Sequence, residues 1–162
     1  MKFNNYAELL ALVETTKLPI YEIAIQVEMV KSDKTREELL AQMAEAFEVM
    51  ESAANEGLAS EKKSPSGLSG GNAKKMSRAS LKVLDPLMAD AVAIGLGVNE
   101  TSASQGKIVA CPTAGSCGIL PGAVIAFSRH NKIVKEKVYE ALFTAGAVGQ
   151  IIECNACVSG AE

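Results

Sequence analysis

Cysteine is the chemically active residue that clusters most tightly in this sequence. Cys111, Cys117, Cys154 and Cys157 all lie after residue 110, in two groups spaced C-x5-C and C-x2-C. The first group is Cys111-Pro112-Thr113-Ala114-Gly115-Ser116-Cys117-Gly118, directly before a helical pattern. Glycine permits a tight turn there, Thr113 and Ser116 offer hydroxyls, and the helix N-terminus adds about half a unit of positive partial charge. A carboxylate or a thiolate-bound cluster would be stabilised in such a loop. The second group is Glu153-Cys154-Asn155-Ala156-Cys157-Val158-Ser159-Gly160, where a long helical run breaks and two thiols can approach one point. Free cysteine is usually a small buried hydrophobe. Clustering in Gly-rich sequence, where the backbone can bend around an ion, points instead to metal or cluster ligation. A zinc ribbon would use C-x2-C-type pairs in short hairpins, and a thioredoxin-like pair at Cys154 and Cys157 would need a βαβ pattern that is not there.

A third constellation is Ser69-Gly70-Gly71, set before a helical run that contains Lys74. Such a turn presents unpaired backbone N–H groups to an anion. Lys74 is also a thin candidate for a pyridoxal phosphate Schiff base. The single histidine, His130 in Ser128-Arg129-His130-Asn131, reads as a solvated residue at a helix end, which argues against a Ser–His–Asp mechanism.

These residues must be positioned by helices. Tyr6, Leu9, Leu10 and Val13 recur at helical spacing, and a second segment opens at Pro19 with Ile20, Ile23, Ala24, Val27 and Val30 on one face. Thr35 and Glu38 form a capping-box pattern before Leu39, Met43, Ala46, Phe47, Met50 and Ala54, with a stop expected near Gly57. Asp85-Pro86 reads as N-cap and first helical position of a strongly apolar helix through Leu87, Met88, Ala91, Val92, Ile94 and Leu96, expected to be buried on most sides. Gly118 to His130 and Val134 to Cys154 form two more helices. The glycines of Ala141-Leu142-Phe143-Thr144-Ala145-Gly146-Ala147-Val148-Gly149-Gln150 suit close helix–helix approach. Residues 59–72 are too polar and Gly-rich for a packed element and are expected to form a flexible loop. Only Ile108–Cys111 looks strand-like. The fold class expected is all-α: a compact domain of about six helices carrying Gly-rich loops, with residues 1–162 read as one domain.

Composition agrees with this. The chain has 162 residues, 48% hydrophobic and 22% charged, with 4% aromatics and no tryptophan, so small aliphatic residues must fill the core. A formal charge of −3 argues against a nucleic-acid partner. No apolar stretch approaches the roughly 20 residues needed to span a bilayer. No signal peptide is read at the start, and the chain is expected in the cytoplasm.

The strings SGLSGGNAKK, CPTAGSCGILPG and GAVGQIIECNACVSGAE, in this order, closely resemble the α chain of the two-chain, iron–sulfur-dependent L-serine dehydratase (L-serine ammonia-lyase). The resemblance covers roughly Ser66 to the end. It implies a catabolic lyase that eliminates water from L-serine and deaminates it to pyruvate and ammonia. It also implies a [4Fe–4S] cluster held by three cysteines with one iron open to substrate, and a β chain as partner. Cys117 matches the family ligand of the Pro-Thr-Ala-Gly loop; Cys154 or Cys157 would be a further ligand or else bystanders. Ser69, Gly70 and Gly71, with Thr113, Ala114 and Gly115, are the candidates for holding the substrate carboxylate, with Lys74 as a supporting charge. The general base is not identified. The family continues past Ser-Gly-Ala-Glu into a Gly-Cys-Gln segment that supplies another ligand, so the chain is expected to be a truncated fragment, inactive alone. The rival expectation is a non-catalytic helical module with structural or zinc-binding cysteines that docks a partner.

Overall fold

The computed structural model describes residues 1–79, 82–113 and 115–156. Among them are seven α-helices and no strand: α1 (Tyr6–Thr16), α2 (Ile20–Ser32), α3 (Arg36–Ala59), α4 (Asn72–Arg78), α5 (Pro86–Ala103), α6 (Ile119–Asn131) and α7 (Lys135–Asn155). The all-α class expected from the 3.6-residue pattern is the class observed. Ile108–Cys111 is irregular backbone, since a β-prone run without a partner strand has no ladder to join. No described helix is long and apolar enough to cross a membrane.

Helix starts follow local chemistry. The Asn5 side chain accepts from the Glu8 N–H at 2.9 Å, and the Glu8 carboxylate accepts from the Asn4 N–H at 2.8 Å, opening α1. Thr35 Oγ1 accepts from the Glu38 N–H at 3.2 Å while Glu38 Oε2 accepts from the Thr35 N–H at 2.8 Å, which is the reciprocal capping box the sequence spells. Asp85 Oδ1 accepts from the Met88 N–H at 3.0 Å, with Pro86 at the first helical position of α5.

The chain divides into two units. One comprises Met1–Glu45 and α7; its core is Phe3, Leu9, Ile23, Val27, Ala147 and Ile151, beside a smaller cluster of Ile25, Leu39 and Phe143. Val30, expected on the inner face of α2, is instead 77% exposed, because the apolar stripe has drifted off that face by the last turn. Gln150 Nε2 donates to the Phe3 carbonyl at 3.1 Å, tying the N-terminal residues to α7.

The other unit, Ala46–Ile133, is built around α5. Ala93, Ile94, Gly97 and Val98 are buried, but Met88 and Val92 are exposed, so only the C-terminal half of α5 is enclosed as expected. The helix lies backbone to backbone with its neighbours. A Cβ on Gly57 of α3 would collide with the Gly97 carbonyl, and a Cβ on Gly122 of α6 would come 2.6 Å from the Ala91 carbonyl. Gly57 therefore does not end α3, which runs on to Ala59; it is a packing position. Conversely, a Cβ at Gly146 or Gly149 in α7 would meet no described atom within 4 Å beyond its chain neighbours and its own helix backbone, so the close approach expected of them occurs at α5 instead.

Two outcomes follow from these local geometries. Gly57→Ala should destabilise by about 1–3 kcal/mol, the usual cost of forced overpacking, despite alanine's better helix propensity. Gly146→Ala should stabilise by about 0.5–1 kcal/mol, because it meets open space in a helix. Denaturant unfolding of both variants checks the contrast, and a stabilised Gly57→Ala would mean that α3 and α5 do not touch there. Glu38 should titrate below the ordinary glutamate value, because the Thr35 N–H and then its hydroxyl favour the charged form. Its contribution to holding the start of α3 is present above the unfolded pKa and lost as pH falls through the depressed folded value. An unshifted Glu38 in an NMR titration would show the box open in solution.

Candidate active site

The last full turn of α5 reads Asn99-Glu100-Thr101-Ser102, a polar run at the end of an otherwise apolar helix. Consecutive residues on a helix point about 100° apart, so these four side chains reach different neighbours. Thr101, 2% exposed, donates to the Ala53 carbonyl of α3 at 2.8 Å. Glu100, 8% exposed, accepts from three backbone N–H groups at the start of α4: Gly71 at 3.0 Å, Asn72 at 2.7 Å and Ala73 at 3.4 Å. Asn99 Oδ1 lies 3.4 Å from the Cys117 thiol, which donates to it.

The glycine-rich segment before α4 is folded by its own groups. The Ser64 N–H donates to the Ser69 carbonyl at 2.9 Å, the Ser69 N–H to Ser64 Oγ at 3.2 Å, and Lys63 Nζ to the Gly70 carbonyl at 2.7 Å. Gly70 and Gly71 hold φ of 126° and 84°, a region closed to most side chains, and a Cβ on Gly70 would strike the Lys62 carbonyl. Lys74 Nζ sits 2.8 Å from Glu61 Oε1. The Lys74 hydrogen bond, with the charges of Lys74, Arg78 and Lys75, holds the Glu61 carboxyl below the usual carboxylate range. These groups surround an open cavity of about 280 Å³ lined by Glu61, Lys63, Gly70, Gly71, Lys74, Lys75 and Arg78. Four cationic side chains against one carboxylate give its lining a net positive charge.

The loop before α6 is equally self-contained. Its Cys111–Pro112 peptide bond is cis. Ser116 Oγ donates to the Cys111 carbonyl at 2.8 Å and lies 2.9 Å from Thr113 Oγ1, while the Ser116 N–H donates to Thr113 Oγ1 at 3.2 Å. Cys117 is fully buried, whereas Cys111 is half-buried. Burial pushes the Cys117 thiol up from its ordinary value, and a hydrogen bond with Ser102 partly opposes the rise. Burial likewise raises Cys111, with the Cys117 charge adding to it. For both thiols, desolvation is the largest influence.

The residues singled out in the sequence are distributed as follows. Gly70, Gly71 and Lys74 line the cavity, but the Gly71 N–H is engaged by Glu100 and the Ser69 N–H by Ser64. The Thr113 hydroxyl is engaged by Ser116, Gly115 is exposed, and Ala114 lies outside the described residues. Cys117 sits in the loop with Cys111. Cys154 lies in the last turn of α7, exposed, in the other unit, with Sγ 4.0 Å from Asn4 Oδ1; Cys157 lies outside the described residues. Among the described residues no group of three or more His, Cys, Asp or Glu could hold a metal ion. His130 pairs with Asp90 at 2.7 Å. Sequence reasoning missed Asn99, Glu100 and Ser102, and also Lys63, Lys75 and Arg78. The available signal was four polar residues closing an apolar helix, since buried polar groups demand partners.

Known proteins resemble this chain in sequence. Residues 15–162 match the family model for the serine dehydratase alpha chain. The chain is 37% identical to a probable L-serine dehydratase alpha chain of Bacillus subtilis (strain 168), over 98% of this chain and 54% of that protein. It is 27% identical to the L-serine dehydratase alpha chain of Peptoniphilus asaccharolyticus, over 98% of this chain and 56% of that protein. It is 29% identical to L-serine dehydratase 1 of Escherichia coli (strain K12), over 99% of this chain and 37% of that protein. No solved structure matches. The chain thus spans about half the length of the two alpha chains and a smaller part of the Escherichia coli protein. On the match over residues 15–162, this chain belongs to the serine dehydratase alpha chain family.

Proposed function

We propose that this chain is part of an L-serine dehydratase that converts L-serine to pyruvate and ammonia, and that it contributes the anion cavity and one thiolate of the active site. The observation that carries the reading is that a single turn of α5 touches both the cavity's loop through Glu100 and the Cys117 thiol through Asn99, in a chain of this family. An amino acid that must lose water from its β-carbon needs its carboxylate held on one side and its hydroxyl activated on the other.

The reaction balances simply. The Cα proton and the Cβ hydroxyl leave as water, giving aminoacrylate, which tautomerises to an imine that one water molecule hydrolyses to pyruvate and ammonia. In this reading Lys74, Lys75 and Arg78 hold the substrate carboxylate, with the Gly70–Gly71 turn beneath it and Thr113, Ala114 and Gly115 in the second loop. When bound, a [4Fe–4S] cluster supplies an open iron as a Lewis acid for the hydroxyl. Cys117 suits a cluster thiolate: it is buried, shielded from water, and has Asn99 and Ser102 beside its sulfur. The described residues do not complete a ligand set, so further ligands are required, with Cys154 and Cys157 proposed among them. The alpha-chain names of two relatives support a β chain as partner. Free thiols at Cys111, Cys117 and Cys154 fit a reducing, cytoplasmic location.

The test is anaerobic reconstitution of the complete α chain with its β chain, using iron and sulfide, followed by pyruvate formation from L-serine. Cys117→Ala should remove the iron–sulfur absorbance and lower kcat/KM by more than about 100-fold, the several kcal/mol a Lewis acid contributes. Cys111→Ala should keep the absorbance. Zinc uptake without iron–sulfur absorbance in the wild-type enzyme would replace this reading with a structural zinc module.

A further inference from the structure

We infer that Glu100 is a positioning residue: by holding the N–H groups of Gly71, Asn72 and Ala73 it sets the turn from which Lys74 and its neighbours meet the substrate carboxylate. The inference rests on the proposed function for what the cavity binds, but not for what Glu100 does to the turn.

The geometry is specific. Both carboxylate oxygens are used: Oε1 takes Asn72, and Oε2 takes Gly71 and Ala73. The three donors are consecutive, and they are the first N–H groups of α4, which have no acceptor within the helix. With seven residues α4 is too short to be stable by itself, so its start depends on an external acceptor. The two residues before it, Gly70 and Gly71, hold positive φ, a backbone region that residues with a Cβ rarely adopt. Lys74 follows Ala73 directly, and Lys75 and Arg78 lie within the next turn. Orientation of the turn thus sets the direction of three of the cavity's four cations.

The same hydrogen bonds decide how an anion is recognised. An N-terminal turn with free amides would bind a carboxylate through its backbone. Here those amides already face a carboxylate belonging to the protein. A substrate carboxylate seated against them would meet Glu100 as a like charge, so its attraction must come from the cationic side chains. Glutamine at position 100 would keep the volume but offer one acceptor oxygen, and turn an amide donor toward at least one N–H.

Hydrogen exchange and kinetics test this together. In the 162-residue wild-type chain the amides of Gly71, Asn72 and Ala73 should exchange at least about tenfold slower than in an unstructured peptide. Unprotected amides at these three positions would overturn the inference without any variant. In the assembled two-chain enzyme, Glu100→Gln should raise KM for L-serine about tenfold with kcat within about twofold, the signature of lost ground-state binding. It should also speed exchange at residues 71–73 while leaving α6 amides unchanged. Glu100→Asp keeps the charge but is one methylene shorter, and should fall between wild type and Glu100→Gln on both readouts. Wild-type KM in both variants, or equal losses in kcat and KM that follow lowered thermal stability, would overturn the positioning role. If the wild-type enzyme forms no pyruvate from L-serine, the function reading fails, and the exchange measurements still decide whether Glu100 holds the turn.

Discussion

A carboxylate taken out of water costs several kcal/mol unless donors replace its hydration. Glu100 is nearly buried and has three backbone N–H groups in place of water. That requirement ties α5 to the glycine turn and to α4, and the other side chains of the same turn extend the tie. Thr101 anchors the turn to α3 through Ala53, and Asn99 reaches the Cys117 thiol. One helical turn of α5 thus ties α3, the start of α4 and the loop before α6 together.

Such an arrangement needs α5 to sit unusually close to its neighbours. Gly57 faces Gly97, and Gly122 faces Ala91 and Gly95, so helix backbones meet without side chains between them. Close approach brings a short polar side chain such as threonine within reach of a neighbouring helix carbonyl, and dispersion gained along the contact offsets the entropy that glycine costs in a helix. The loops follow the same economy. Thr113 and Ser116 tie one loop back on itself, and Ser64, Ser69 and Lys63 tie the other.

Electrostatics divides the labour between the two loops. The cavity beside α4 is rich in flexible cations that are only partly neutralised by Glu61. Cys117, by contrast, is enclosed in surroundings that disfavour its ionised form. A cationic metal centre would reverse that preference, since a thiolate bound to metal is stabilised by the ion's own charge. One side therefore carries a net positive charge, and the other keeps a thiol away from water.

The sequence by itself determined the helical class and where most helices start. Thr35 with Glu38 and Asp85 with Pro86 act across three or four residues, so the signal and its structural consequence lie in the same short window. It also marked the Cys111–Gly118 loop and the Ser69–Lys74 turn, because glycine and cysteine usage changes abruptly there. It did not determine which groups those loops use internally. Glu100 finds its donors 27 to 29 residues away, Thr101 its acceptor 48 away, and Cys117 its partner 18 away, separations at which no local pattern operates. Gly57 resembles a helix stop in sequence because the residue that occupies the space of its missing side chain, Gly97, lies on another helix. Exposure of Val30, Met88 and Val92 was likewise decided by which neighbours reach each face. Local hydrogen bonding set the elements; only packing between them decided which polar groups meet, because burial forces each to find a partner wherever the fold brings one.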